Sequence, residues 1–141
     1  MFRDYYMFLE VELSASQEEI KAAYKRMSIK WHPDKNPTID TTKQMQNINE
    51  ANLVLGDVKA RELYDIEYLK YKSSKDNSNY VVENEILNTW MRNAKNQAVK
   101  IVADIMDEFK GSTKKAGFSI LNGLLYFLPV ILVYLLIRGC R

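Results

Sequence analysis

Apolar residues recur at helical spacing through most of the first 110 positions, and no stretch alternates with period two for long enough to argue a strand. The pattern predicts a short helix around residues 4–9. A second begins after Ser16, which with Glu19 three residues later makes a capping-box signature; Ile20, Ala23, Tyr24, Met27 and Trp31 then share one face. A third is expected over 41–55 with Met45, Ile48, Ala51, Asn52 and Leu55 inward, ended by Gly56 as a C-terminal stop. The fourth covers 59–71 and turns Leu63, Ile66 and Tyr64 toward the core. The expected fold class is therefore all-α, with a four-helix unit over residues 1–71.

Beyond that unit the pattern changes twice. Residues 72–79 read KSSKDNSN, with no apolar residue, and the segment 72–80 is expected to be a polar linker. Residues 81–110 then read as an amphipathic helical stalk: Leu87, Met91, Ala94, Ala98, Ile101 and Ile105 recur at alternating spacings of four and three. Such a stripe fits a helix lying on its own domain or on a membrane. It also fits weak self-association as a short coiled coil, although two alanines in the seam favour the first reading.

The last change is the strongest. Residues 117–137 carry no charge, and 16 of the 21 are apolar or aromatic. At 1.5 Å per residue such a run spans about 31 Å, close to the roughly 30 Å of a bilayer core. A transmembrane helix is expected there, with Lys114 and Lys115 before it and Arg138 and Arg141 after it. Its position reads as a single-pass C-terminal anchor. The N-terminal stretch carries Asp4, Glu10 and Glu12 and so lacks the apolar core of a signal peptide, which leaves residues 1–116 expected in the cytosol. Cys140 beyond the span is a palmitoylation candidate, though a lone terminal cysteine is more often unmodified.

Composition narrows the chemistry. One histidine and one cysteine in 141 residues leave nothing for a multi-histidine or cysteine-rich metal site or an internal disulfide, so neither metal nor cofactor is expected. A net charge of +2 gives no strong pull toward nucleic acid. That total is uneven: residues 1–65 carry 9 basic and 11 acidic side chains, yet the later turns of the second helix gather Lys21, Lys25, Arg26 and Lys30 on its polar face. A local positive face on an acidic unit suits docking to an acidic partner surface.

Immediately after Trp31 comes His32-Pro33-Asp34-Lys35-Asn36-Pro37. Pro33 disfavours helical geometry at His32 and cannot continue the ladder, so this tripeptide belongs in the loop between the second and third helices. With Asp4-Tyr5-Tyr6, Leu9 and Val11 at the start, and Ala15-Ser16 through Glu19-Ile20-Lys21-Ala22-Ala23-Tyr24-Lys25-Arg26, the segment resembles a J domain, the signature module of DnaJ-like (Hsp40) co-chaperones. Ile48-Asn49-Glu50-Ala51, Val54-Leu55, Asp57, Lys59, Arg61 and Tyr64-Asp65 continue the resemblance over about 62 residues. The departures are Glu10 where the family usually has Gly, Met45 for Phe, Asn52 for Tyr and Gly56 for Ser. Nothing after residue 65 resembles the Gly/Phe-rich, zinc-repeat or β-sandwich regions of fuller members.

The resemblance implies a partner and a mode of action. His32, Pro33 and Asp34, with Lys21, Lys25 and Arg26 as steering charges, would bind an Hsp70 (DnaK-type) chaperone and stimulate its ATP hydrolysis. The chemistry would occur on the partner, and the chain itself is not expected to be an enzyme. Two alternatives stand beside it: a J-like membrane scaffold without Hsp70-stimulating activity, and a hydrolase using His32 and Asp34. The second lacks a Ser or Cys nucleophile motif and a second histidine.

Overall fold

The computed structural model describes the backbone of residues 2–74 and 80–138, and side chains as far as residue 111. Among the described residues every regular element is helical. Asp4 opens α1 (Tyr5–Leu9), accepting the Met7 N–H at 3.0 Å. α1 ends at Glu10, which adopts the left-handed conformation with φ 55°. Ser16 and Glu19 form the expected reciprocal cap on α2 (Gln17–Lys30), and Ile20, Ala23 and Met27 are buried as the spacing requires. A single 3-10 turn (Pro33–Lys35) leads to α3 (Thr42–Leu55), whose Met45, Ile48, Ala51, Val54 and Leu55 are buried.

Gly56 does end α3, but not in the left-handed conformation; its φ is −75°. The glycine is required for space, since a Cβ there would lie 2.5 Å from the Asn52 carbonyl oxygen. Asn52 itself is only half-buried, and Val54 takes the inward place expected for it.

Asp57 caps α4 (Val58–Ser73) by accepting the N–H groups of Lys59 and Ala60. The inward line of α4 is Ala60, Tyr64 and Glu67, whereas Ile66 is 56 % exposed. The expectation that Ile66 faces the core therefore fails. A buried carboxylate occupies the inward position instead, and an apolar count cannot anticipate it.

Long-range side-chain bonds fix α1 and α2 on α4. The Tyr64 hydroxyl accepts the Tyr5 N–H at 2.9 Å and donates to the Arg3 carbonyl at 2.8 Å. The Arg61 guanidinium donates to the carbonyls of Leu13 and Ala15, closing the turn between α1 and α2. Buried Glu50 of α3 accepts the Tyr5 hydroxyl at 2.7 Å and pairs with Arg3 at 2.8 Å, so its charge is compensated.

The last helix is α5 (Glu85–Arg138), and the chain divides into two compact units, Met1–Met106 and Asp107–Arg141. Within the first unit, α5 contributes Leu87 and Ala94 to the core and also buries Ala98 and Val102. From Leu87 to Val102 the amphipathic stripe thus packs on its own domain. Its entry is held by Glu67, whose carboxylate accepts Lys70 Nζ at 2.8 Å, the Tyr80 hydroxyl at 3.0 Å and the Glu83 N–H at 3.2 Å. Burial pushes this carboxyl up, but the three donors outweigh it and hold it below the usual carboxylate range. Tyr80 also sits edge-on to Phe2 and Tyr71. The polar linker is accordingly narrower than expected: α4 extends through Ser73, and Tyr80 already packs on the domain.

The expected membrane helix at 117–137 lies outside the residues whose side chains are described. Among the described residues, no helix is long and apolar enough to cross a membrane.

Candidate partner-docking site

The loop after α2 is built by short-range geometry. His32 is extended (φ −65°, ψ 139°), as the following proline demands. Pro33 is buried and sets the first position of the 3-10 turn, where its missing N–H costs nothing. The Lys35 N–H donates to the His32 carbonyl at 3.0 Å, and the Asn36 N–H donates to that of Pro33 at 3.1 Å. The Asn36 side-chain amide then donates to the carbonyls of Lys30 and His32, both at 2.9 Å, tying the last turn of α2 to the loop. The Lys30 carbonyl is a helix-end acceptor with no partner inside α2, and the His32 carbonyl accepts the Asn36 amide in addition to the Lys35 N–H.

That scaffold directs two side chains outward. His32 and Asp34 have side chains 40 % and 68 % exposed. The Nδ1 of His32 accepts the Asp34 N–H at 3.2 Å. The Asp34 carboxylate lies 3.6 Å from Nδ1, but two acceptors do not bond to one another, so its oxygens remain available.

Lys21, Lys25, His32 and Asp34 line one shallow cleft, together with Lys35 and the apolar surface of Tyr24 and Ile29. The structure therefore brings together four of the six expected site residues around a largely apolar floor. Pro33 supports from beneath. Arg26 stands apart: it lines a different cleft with Glu10, Val11 and Glu19, and its guanidinium reaches the Leu9 carbonyl at 3.4 Å.

Lys30 also leaves the basic face, bonding Glu10 at 2.8 Å and holding that carboxyl below its usual range. Sequence reasoning missed Lys35 and Ile29 as lining groups and Asn36 as the loop's brace. Lys35 and Asn36 were visible only as part of the motif, since their roles depend on how the chain turns at Pro33. Among the described residues no group of three or more His, Cys, Asp or Glu side chains is placed to hold a metal ion.

A small helical module thus presents a cationic helix beside a His–Pro–Asp turn whose His32 and Asp34 side chains are exposed. Residues 4–65 match the family model of the DnaJ domain, and this segment is a J domain.

The same segment is 46 % identical over 63 residues to "Chaperone protein DnaJ" of Mycoplasmoides gallisepticum, covering 45 % of this chain and 16 % of that protein. It is 51 % identical over 63 residues to "Chaperone protein DnaJ" of Wolinella succinogenes, covering 44 % and 17 %. It is also 45 % identical over 64 residues to human "DnaJ homolog subfamily B member 3", covering 44 % of each chain. The chain thus matches less than half the length of these relatives, and only through the J domain.

Proposed function

We propose that this chain recruits an Hsp70-type chaperone and stimulates its ATP hydrolysis through the loop 32–34 and the basic face of α2. The observation that carries this reading is the convergence of Lys21, Lys25, His32 and Asp34 on one exposed cleft of a J domain. In this role Lys21 and Lys25 steer an acidic partner surface. The His32 imidazole and the Asp34 carboxylate bond to the partner, while Pro33 and Asn36 hold the turn in shape. No proton abstraction by His32 is needed, and the chain is an activator rather than an enzyme. Arg26, already engaged with the Leu9 carbonyl, has a smaller part than Lys21 or Lys25.

The uncharged run 117–137 supports a membrane-tethered version of this activity, with the J domain on the cytosolic side. Tethering would concentrate the stimulation at the membrane without altering intrinsic affinity. Weak self-association through 81–110 would require Leu87, Ala94, Ala98 and Val102 to leave their own domain first.

The test is single-turnover ATP hydrolysis by an Hsp70 with the full chain added. Stimulation by the native chain and its loss in His32→Gln are expected. A folded His32→Gln chain that stimulates equally well would refute the assignment. Absence of stimulation by the native chain, with co-purification of a membrane partner, would favour the scaffold alternative. Fractionation with protease protection tests insertion and sidedness.

A further inference from the structure

α1 ends on a strained residue that the docking reading does not use. Among the described residues Glu10 is the single non-glycine with a positive φ, 55°. It caps α1, where its N–H donates to the Met7 carbonyl at 3.2 Å. The left-handed region favours glycine, because a Cβ there crowds the following carbonyl oxygen. What glutamate adds at this position is a carboxylate, and its Oε1 meets Lys30 Nζ at 2.8 Å. Both side chains are about half exposed, and an ion pair so open to water adds little stability. The fold thus gains little from the strained side chain, and its effect falls on the surface it alters.

That surface is the far edge of α2. Ala22 lines two clefts, so α2 stands as a ridge between them. On one side Lys21, Lys25 and Lys35 outnumber the carboxylates of Glu18 and Asp34. On the other, Arg26 faces Glu10, Glu12 and Glu19. The first cleft therefore has an excess of cations and the second an excess of carboxylates. Glu19 is committed to the Ser16 cap, and Arg26 reaches the Leu9 carbonyl at 3.4 Å. Lys30, one turn beyond Arg26 on the same edge of the helix, is the cation able to balance the second cleft, and Glu10 holds it. Lys30 first, and Arg26 more weakly, keep the Glu10 carboxyl below its usual range by favouring its ionised form.

We propose that Glu10 is a specificity-determining residue of the docking surface: it binds Lys30 and keeps the Arg26 edge of α2 anionic, so that an acidic partner is admitted along the Lys21–Lys25 edge, where His32 and Asp34 stand. The proposal rests on the docking reading above and adds to it a residue of α1 that turns the same partner away from the wrong edge. Like charge set against an incorrect approach discriminates alongside attraction to the correct one. Glycine at this position would remove both the strain and the charge, and would leave Lys30 free.

The experiment titrates stimulation of Hsp70 ATP hydrolysis by the full chain as Glu10→Gln, Glu10→Gly and Glu10→Gln/Lys30→Gln. Each is measured at low and high salt, with His32→Gln alongside and Tm read for every variant. Glu10→Gln keeps the size of the side chain and removes its charge. It should lower the half-saturating concentration about threefold at low salt, and Glu10→Gly should match it. The gain should shrink at high salt and disappear in the double variant. A merely structural role for Glu10 would make half-saturation follow Tm, with glycine improving on the native chain and glutamine not. That pattern, or an unchanged half-saturation in Glu10→Gln while His32→Gln still abolishes stimulation, would overturn the role of Glu10 and leave the docking reading standing. Stimulation retained by a folded His32→Gln chain would remove both.

Discussion

The J-domain match ends at residue 65, but the hydrophobic core continues to α5, and Leu87→Ala measures what that continuation contributes. Leu87 has no exposed surface. Truncation to alanine removes three carbons, worth about 0.8 kcal/mol each in transfer, and leaves a cavity whose lining cannot fully collapse. Burial among the side chains of a helical core places the loss near the middle of the roughly 2–5 kcal/mol range, at about 3 kcal/mol. The assay is native-state hydrogen exchange of the full chain, read at the most protected amides of α1 and α3. If α5 belongs to the cooperative unit, those amides should exchange on the order of a hundredfold faster in the variant. Ile86→Ala, one residue away but 63 % exposed, is the control and should change stability by less than about 0.5 kcal/mol. A Leu87→Ala chain whose α1 and α3 amides exchange as slowly as the control would show that α5 is not part of the domain's cooperative fold.

Three further outcomes follow from named contacts. The carboxyl of Glu67 is held below its unfolded value of about 4.3, so the stability it confers is complete above that pH and is lost as pH falls through its lower folded value. Tm of Glu67→Gln should be lower than native at pH 7 and should fall less steeply between about pH 5 and 3; parallel profiles would refute this. Asn36→Ala removes two bonds at 2.9 Å and should cost roughly 1–3 kcal/mol by thermal unfolding while raising the half-saturating concentration for Hsp70 stimulation; rescue by Asn36→Asp is not expected, because a carboxylate cannot donate to the Lys30 and His32 carbonyls. Gly56→Ser, although serine is common there in the family, should lower stability by roughly 1–3 kcal/mol in urea titration because the Asn52 carbonyl occupies the space of a Cβ; an unchanged midpoint would show that the turn relaxes freely.

What the sequence disclosed and what it hid divide by range. The Ser16–Glu19 cap, the buried face of α2 and the loop position of His32-Pro33-Asp34 all depend on neighbours within four residues, and all three were legible. The inward side of α4 was not. Ile66 invited burial by its chemistry, while Glu67 is buried because Tyr80 and Glu83, 13 and 16 residues away, supply its donors. The seating of α5 was left open for the same reason: its stripe specifies an apolar partner without naming one. At the site, helix angles grouped Arg26 with Lys21 and Lys25, whereas the left-handed turn at Glu10 brings the end of α1 beneath Arg26 and Lys30 and draws both away.

The hydroxyl of Tyr64, shared between the Tyr5 N–H and the Arg3 carbonyl, also bears on the order of folding. α1 has five residues, too few to persist alone, since closing a first helical turn is unfavourable without outside support. One of its unpaired N-terminal groups finds its acceptor 59 residues later. During synthesis α1 therefore cannot complete this bond until α4 has emerged. α2 and α3 carry no such dependence on Tyr64, so they can pair before α1 is fixed.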